Sequence, residues 1–169
     1  AFCTELLDHL GRNERAASSA ERHILAFEAA GEWVQVRADM RLLRQIVSNL
    51  VSNAIKYSPA GSQVDIRLDC TRPESFTLEV QDHGIGIPDA DQTHLFEPFH
   101  RAANVGTIPG TGLGMNIIRH SVELHGGTIT FTSAENAGST FTVTLPNAVS
   151  SDNQVDEPKE QPNDESSGH

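Results

Sequence analysis

Residues 47–57 of the chain read Val-Ser-Asn-Leu-Val-Ser-Asn-Ala-Ile-Lys-Tyr, and they belong to a longer helical pattern over residues 39–57. Asp39 is placed as the N-cap of this helix, and Ser58-Pro59 ends it. Apolar residues at helical spacing form an arc that would face the core: Leu43, Ile46, Val47, Leu50, Val51 and Ala54.

A polar column lies beside this arc. Asn49, Asn53 and Lys56 stand at i, i+4 and i+7, so they share one side of the helix. A solvated helix face usually favours Glu and Lys, whereas asparagine is a poor helix former. The column alone is compatible with a solvated face or with a binding face.

Four strands are predicted downstream, at residues 64–68, 76–80, 128–132 and 140–145. The first two alternate apolar and polar side chains with period two, as half-buried strands do. Pro73 lies in the turn between them, and Pro146 ends the last strand.

Weaker patterns complete the chain. A helix is predicted over residues 113–124, ending at Gly126-Gly127. Upstream, residues 23–29 and 33–37 read as a strand hairpin, and residues 2–10 as a short amphipathic helix. The order of elements predicts an α+β fold, a two-layer sandwich with helices covering one face of a mixed, mainly antiparallel sheet.

Length and composition bound the function. The 169 residues suit one domain, which we place at residues 1–146, followed by a disordered acidic tail at residues 147–169. The formal net charge of −11 argues against a nucleic-acid partner, because such binding depends on Lys and Arg. No apolar run approaches the roughly 18 residues of a spanning helix. Because the sequence begins at Ala1 inside a helical pattern, we expect a segment of a longer protein.

Two glycine-rich motifs lie at residues 82–88 and 110–114. Asp82-His83-Gly84-Ile85-Gly86-Ile87-Pro88 follows a strand and puts a carboxylate at its end. Gly110-Thr111-Gly112-Leu113-Gly114 opens a helix, where free N–H groups can bind an anion. Each motif alone is also compatible with a glycine-rich turn or a hinge. Neither matches the dinucleotide fingerprint or the P-loop.

Taken in order with Leu95-Phe96-Glu97-Pro98-Phe99, these motifs resemble the ATP-binding catalytic domain of sensor histidine kinases. Residues 47–57 are similar to the N box, 82–88 to the first glycine box, 95–101 to the F box and 110–115 to the second glycine box. The resemblance implies the Bergerat fold shared with gyrase-type topoisomerases, heat-shock chaperones and mismatch-repair ATPases. It also implies ATP and Mg²⁺ as ligands, under a lid at residues 101–110.

The resemblance implies a nucleotide site made of Asn49, Asn53, Lys56, Tyr57, Asp82, Gly84, Gly86, Ile87, Phe99, Arg101, Gly110, Thr111, Gly112, Leu113, Gly114 and Thr140. Asp82 would accept a hydrogen bond from the adenine amino group, with Thr140 assisting through water. Gly84 and Gly86 would let the backbone approach the base and the sugar.

The same resemblance assigns the phosphate end. Asn53 would coordinate Mg²⁺ by its amide oxygen, and Asn49, Asn53 and Lys56 form the expected catalytic set. Lys56, Tyr57 and Arg101 would contact phosphates or ribose, and N–H groups of the second glycine box would face the phosphates. ATP-hydrolysing relatives carry a glutamate base at the position of Asn49. An amide takes no proton, which favours transfer to a neutral histidine nitrogen.

None of the eight histidines stands in the His-Glu/Asp-x-x-x-Pro setting of the family's phosphoacceptor. The resemblance therefore implies an acceptor on a separate dimerisation domain, and a response regulator as the next partner. We expect a cytoplasmic domain that is monomeric alone and part of a homodimer in the whole protein, with membrane anchoring left open. Two alternatives remain: a degenerate nucleotide-binding interaction module of the same fold, and an ATP-hydrolysing relative.

Overall fold

The computed structural model describes residues 23–31 and 39–147. The predicted helix at residues 2–10 and the strand at 33–37 lie outside the described residues, as does the tail beyond Asn147. The strand hairpin and the domain boundary at 146 therefore stay predictions.

Five strands and three helices account for the described fold. The strands are β1 (Ile24–Ala30), β2 (Gln63–Asp69), β3 (Ser75–Asp82), β4 (Thr128–Ser133) and β5 (Ser139–Pro146). The helices are α1 (Met40–Tyr57), the short α2 (Asp89–Gln92) and α3 (Gly114–Leu124), with a 3₁₀ turn at Ala103–Val105. All predicted elements within the described residues are present. Pro146 is the last residue of β5 rather than a stop before it, and it lies opposite Ser75.

The sheet has the strand order β1-β2-β3-β5-β4. β1 and β2 are parallel, and the other three neighbouring pairs are antiparallel. The predicted mixed, mainly antiparallel sheet is therefore confirmed. The register of β3 and β5 puts Asp82 opposite Ser139, so the last residue of one strand adjoins the first residue of the other.

Helix α1 begins and ends where the sequence predicts. Asp39 accepts hydrogen bonds at Oδ1 from the N–H groups of Arg41 (2.8 Å) and Leu42 (3.4 Å), which satisfies donors that have no partner inside the helix. Ser58 has extended backbone before Pro59 and ends the helix. Burial of each Leu, Ile or Val side chain of the apolar arc stabilises the fold by roughly 1.5–3 kcal/mol. The whole arc is buried as predicted: Leu43, Ile46, Val47, Leu50, Val51 and Ala54.

The helices cover one face of the sheet. Inward side chains of the central strands are buried, among them Leu78, Val80 and Val143. Their neighbours on the opposite face are polar, and Arg67 there pairs with Glu79 (2.8 Å). α1 contacts β2, β3 and α3, while α3 contacts β4. This two-layer arrangement brings the polar column of α1, the end of β3 and the start of α3 together.

Candidate functional site

A cavity of about 340 Å³ lies between α1, the end of β3 and the start of α3. Residues of the segment 100–112 form another part of its wall. Twelve residues of the predicted site line it: Asn49, Asn53, Lys56, Tyr57, Asp82, Gly86, Ile87, Arg101, Gly110, Thr111, Gly112 and Gly114. The polar column of α1 is thus on a cavity wall, which favours a binding face over a solvated one.

Asn53 and Lys56 are oriented by neighbouring side chains. The amide nitrogen of Asn53 lies 3.5 Å from the sulfur of Met115, a weak acceptor, and its oxygen makes no hydrogen bond within the described residues. The Lys56 ammonium donates to the hydroxyl of Tyr57 (2.9 Å). The column therefore offers a cation and an unpaired amide oxygen to a ligand in the cavity.

That oxygen fits a magnesium ion. Mg²⁺ prefers oxygen ligands and takes few of them from protein, the rest coming from phosphates and water. Within residues 23–31 and 39–147, no three His, Cys, Asp or Glu side chains group as a metal site. The amide oxygen of Asn53 is therefore the metal-ligand candidate that the resemblance assigns, with the remaining ligands supplied by phosphates and water.

Asp82 is a buried carboxylate at the cavity wall, with 7% of its surface exposed. Its Oδ1 accepts a hydrogen bond from the N–H of Gly84 (2.8 Å). Burial raises the pKa of the Asp82 carboxyl, while N–H groups of Gly84 and Ser139 and the nearby His83 act in the opposite direction. The carboxylate is a hydrogen-bond acceptor with little access to water, so a hydrogen bond from a ligand would be favourable.

The raised pKa of Asp82 predicts a stability effect with a definite sign. The folded state keeps the proton on Asp82 to a higher pH than the unfolded chain does. The stability that this protonation contributes is therefore present below pH 3.8, the ordinary pKa of the carboxyl, and is lost as pH rises through the folded pKa. We expect urea denaturation to show Asp82→Asn more stable than the wild type near pH 7. The difference should shrink as pH is lowered toward 4.

Asp69 provides a control with the opposite sign. Hydrogen bonds from Thr71 lower the pKa of the exposed Asp69 carboxyl. The stability that the charged carboxylate contributes is therefore present above pH 3.8 and is lost as pH falls through the folded pKa. We expect Asp69→Asn to be less stable than the wild type near pH 7, with a gap that also closes toward acid pH. A stability difference for Asp82→Asn that stays constant across this range would contradict the assignment.

The two glycines of the first motif are required by the protein's own packing. Gly86 has φ +64°, and a Cβ there would collide with the carbonyl oxygen of Ala134. A Cβ at Gly84 would collide with the carbonyl oxygen of Tyr57. This packing requirement is separate from the prediction that both glycines let the backbone approach base and sugar; Gly86 lines the cavity and Gly84 does not.

Three more predicted residues lie off the cavity wall. Phe99 is 73% exposed at φ 64°, and its N–H donates to the carbonyl of Gly112 (3.0 Å), so its backbone joins the F box to the second glycine box. Leu113 precedes α3 as its N-cap residue. Thr140 lies opposite Gln81 and Thr132, and strand alternation turns it away from the side of Ser139 and Phe141.

Ser139, the neighbour of Thr140 in the sequence, lies on the cavity side of β5. It lines the cavity beside Asp82, as do the unpredicted Ser52, Ile85, Leu95, His100, Ala102, Val105, Met115 and Phe141. Two of these had a signal in the sequence. Ser52 extends the column of Asn49 and Asn53 at helical spacing, and Ser139 shares a strand face with the apolar Phe141. The other unpredicted residues reach the cavity only because of how the lid packs against the helices in the folded chain.

The comparisons with known proteins agree with this geometry. Residues 38–149 match the family model described as histidine kinase-, DNA gyrase B-, and HSP90-like ATPase, and the chain belongs to this family. Among its relatives is the sensor histidine kinase WalK of Bacillus subtilis, 38% identical over 125 residues, or 72% of this chain and 20% of WalK. The sensor-like histidine kinase SenX3 of Mycobacterium tuberculosis is 36% identical over 159 residues, or 93% of this chain and 38% of SenX3.

Solved structures give the same result. The mycobacterial sensor histidine kinase MprB superposes with a TM-score of 0.70 at 32% identity, covering 85% of this chain and 95% of that one. The α+β fold and the ATP-binding catalytic domain of sensor histidine kinases are thereby established for this sequence. The chain spans well under half the length of the curated relatives given above. In the described part of the chain, no helix has the length and apolarity to cross a membrane.

Proposed function

We propose that the chain binds Mg-ATP in this cavity and transfers the γ-phosphoryl group to a histidine on a separate dimerisation and phosphoacceptor domain. The observation that carries the proposal is the convergence on one cavity of a buried carboxylate, Asp82, and an unpaired amide oxygen, on Asn53. The family membership of the chain supports ATP as the ligand.

The adenine end of the ligand lies at Asp82. The exocyclic amino group of adenine donates a hydrogen bond to its carboxylate, which is stronger than a neutral hydrogen bond. A base with a carbonyl at that position would face the carboxylate with a second acceptor and be rejected. Ser139 lines the cavity beside Asp82 and would assist through water, the role that the resemblance gives to Thr140.

The phosphate end lies at the column of α1 and the start of α3. Lys56, Tyr57 and Arg101 contact phosphates or ribose, and N–H groups near Gly112 and Gly114 face the phosphates at the helix N-terminus. Asn53 holds the metal through its amide oxygen. Bound Mg²⁺ supplies charge neutralisation at the phosphate oxygens.

Asn49 accounts for the choice of acceptor. It lines the cavity as an amide and takes no proton, so it does not activate water as a general base. A neutral imidazole nitrogen needs no such help, because its lone pair is free. That lone pair attacks the γ-phosphorus, the bond to the β-phosphate oxygen breaks, and ADP leaves. The phosphohistidine then serves a response regulator, in a whole protein that dimerises through its acceptor domain.

The proposal is tested by phosphoryl transfer to a separately supplied acceptor. We expect the chain, given ATP labelled at the γ-phosphate and the dimerisation domain of the same kinase, to label that domain with an acid-labile phosphate. Label on the acceptor should be lost when its histidine is replaced. Release of inorganic phosphate at a comparable rate without acceptor would instead indicate an ATP-hydrolysing relative. ATP binding without transfer would indicate a degenerate interaction module.

A further inference from the structure

The lid segment is closed on itself by hydrogen bonds. The N–H of Val105 donates to the carbonyl of Ala102 (3.2 Å), and that of Ile108 donates to Val105 (3.0 Å). The guanidinium of Arg101 also donates to the carbonyl of Ile108. Residues 101–108 therefore form a compact turn that can dock or leave as one unit.

Asn104 joins this turn to the first glycine motif. Its amide nitrogen donates to the carbonyls of Gly86 (3.0 Å) and Ile85 (3.3 Å), so both hydrogens of the NH₂ group are used on successive residues. The receiving loop is itself fixed. Ile85 donates to the carbonyl of Tyr57 (3.0 Å) and accepts from the N–H of Asn136 (2.7 Å).

The other end of the same amide is unsatisfied. Oδ1 of Asn104 is buried and has no hydrogen-bond partner among the described residues. A buried acceptor without a partner costs free energy, which an apolar side chain of similar size would avoid. The NH₂ group is therefore the part of Asn104 that stabilises the fold. It does so only when the turn lies against Ile85 and Gly86.

The second anchor of the turn reaches a different element. The N–H of Ala103 donates to Oδ2 of Asp91 (2.8 Å), whose Oδ1 lies 3.3 Å from Nε2 of His100. This contact ties the turn to α2, whereas Asn104 ties it to the first glycine motif. Ala102 and Val105, on either side of the 103–104 pair, line the cavity, so undocking of the turn would remove part of its wall.

We propose that Asn104 is a positioning residue that docks the lid onto Ile85 and Gly86 of the first glycine motif, and so sets the lifetime of the bound nucleotide. This inference rests on the proposed nucleotide site. Asn104 itself does not line the cavity. Its effect passes through the cavity wall formed by its neighbours.

The first test measures nucleotide release. Asn104→Asp keeps the shape but puts acceptors against two carbonyls, and Asn104→Leu keeps the bulk without donors. We expect both to raise the dissociation rate of a fluorescent ATP analogue about 10-fold in stopped flow, with the association rate little changed. Thr107→Ala, at an exposed position of the same segment, should leave both rates unchanged.

The second test needs no nucleotide. We expect hydrogen exchange at the Ala103 amide of the free protein to be about 10-fold faster in both Asn104 variants, at unchanged global stability in urea. Unchanged exchange and release rates would overturn the proposal, and so would a general loss of stability. If folded wild type binds no nucleotide, the proposed function fails, and the exchange rate alone then decides whether Asn104 docks the lid.

Discussion

Replacing Asp82 with Asn is expected to weaken ATP binding by about 10- to 100-fold, the range for losing a charge-assisted hydrogen bond in a desolvated site. Burial of the carboxylate, 7% exposed, makes the interaction with a donor strong, and the variant removes that charge at nearly constant shape. Calorimetric titration with a non-hydrolysable ATP analogue measures the change. Asp69→Asn, at the other end of the sheet beside Thr71, should bind as the wild type does.

The base itself supplies a sharper version of this experiment. Inosine triphosphate carries a carbonyl where ATP has its amino group, so the wild type should strongly prefer ATP. The side-chain amide introduced by Asp82→Asn has an NH₂ group that can donate to the carbonyl, and the preference should fall or invert. Equal weakening of both nucleotides would mean that Asp82 does not contact the base. Because Asp82→Asn should be at least as stable as the wild type at neutral pH, lost affinity would not reflect unfolding.

The sequence predicts most of this fold because its strongest patterns are periodic. The arc from Leu43 to Ala54 is buried as predicted, and the strands of the sheet follow from alternation or from turn residues. The polar column of α1 is correct for the same reason, since helical spacing alone puts Asn49, Asn53 and Lys56 on one side. Periodicity needs no knowledge of distant contacts.

The sequence is less informative where a distant contact decides which residues meet. Thr140 and Ser139 both carry hydroxyls, and a shift of one residue along β5 exchanges the two faces of the sheet. The collision partners of Gly84 and Gly86 are Tyr57 and Ala134, which no local pattern connects to them. The contact of Asn104 with Ile85 and Gly86 likewise spans a loop whose path is set by the folded chain.

Asn53→Ala is expected to lower the rate of phosphoryl transfer by roughly 10²–10³-fold, the cost typical of removing one group that stabilises charge in a transition state. Alanine is the best helix former, and Asn53 lies inside α1 with only a weak contact to the sulfur of Met115. The fold should therefore be unaffected. Gln45→Ala, at an exposed position of the same helix, is the matched control and should transfer at the wild-type rate.

Magnesium separates a metal ligand from a residue that merely shapes the cavity. If Asn53 holds the ion, Asn53→Ala should bind ATP as the wild type does in the presence of a chelator and lose affinity only when Mg²⁺ is added. Asn53→Asp, which replaces the amide oxygen with a carboxylate that Mg²⁺ also accepts, should recover metal-dependent binding. Equal loss of affinity with and without the ion would show that Asn53 acts through the nucleotide or through the shape of the cavity, and would contradict its assignment as the metal ligand.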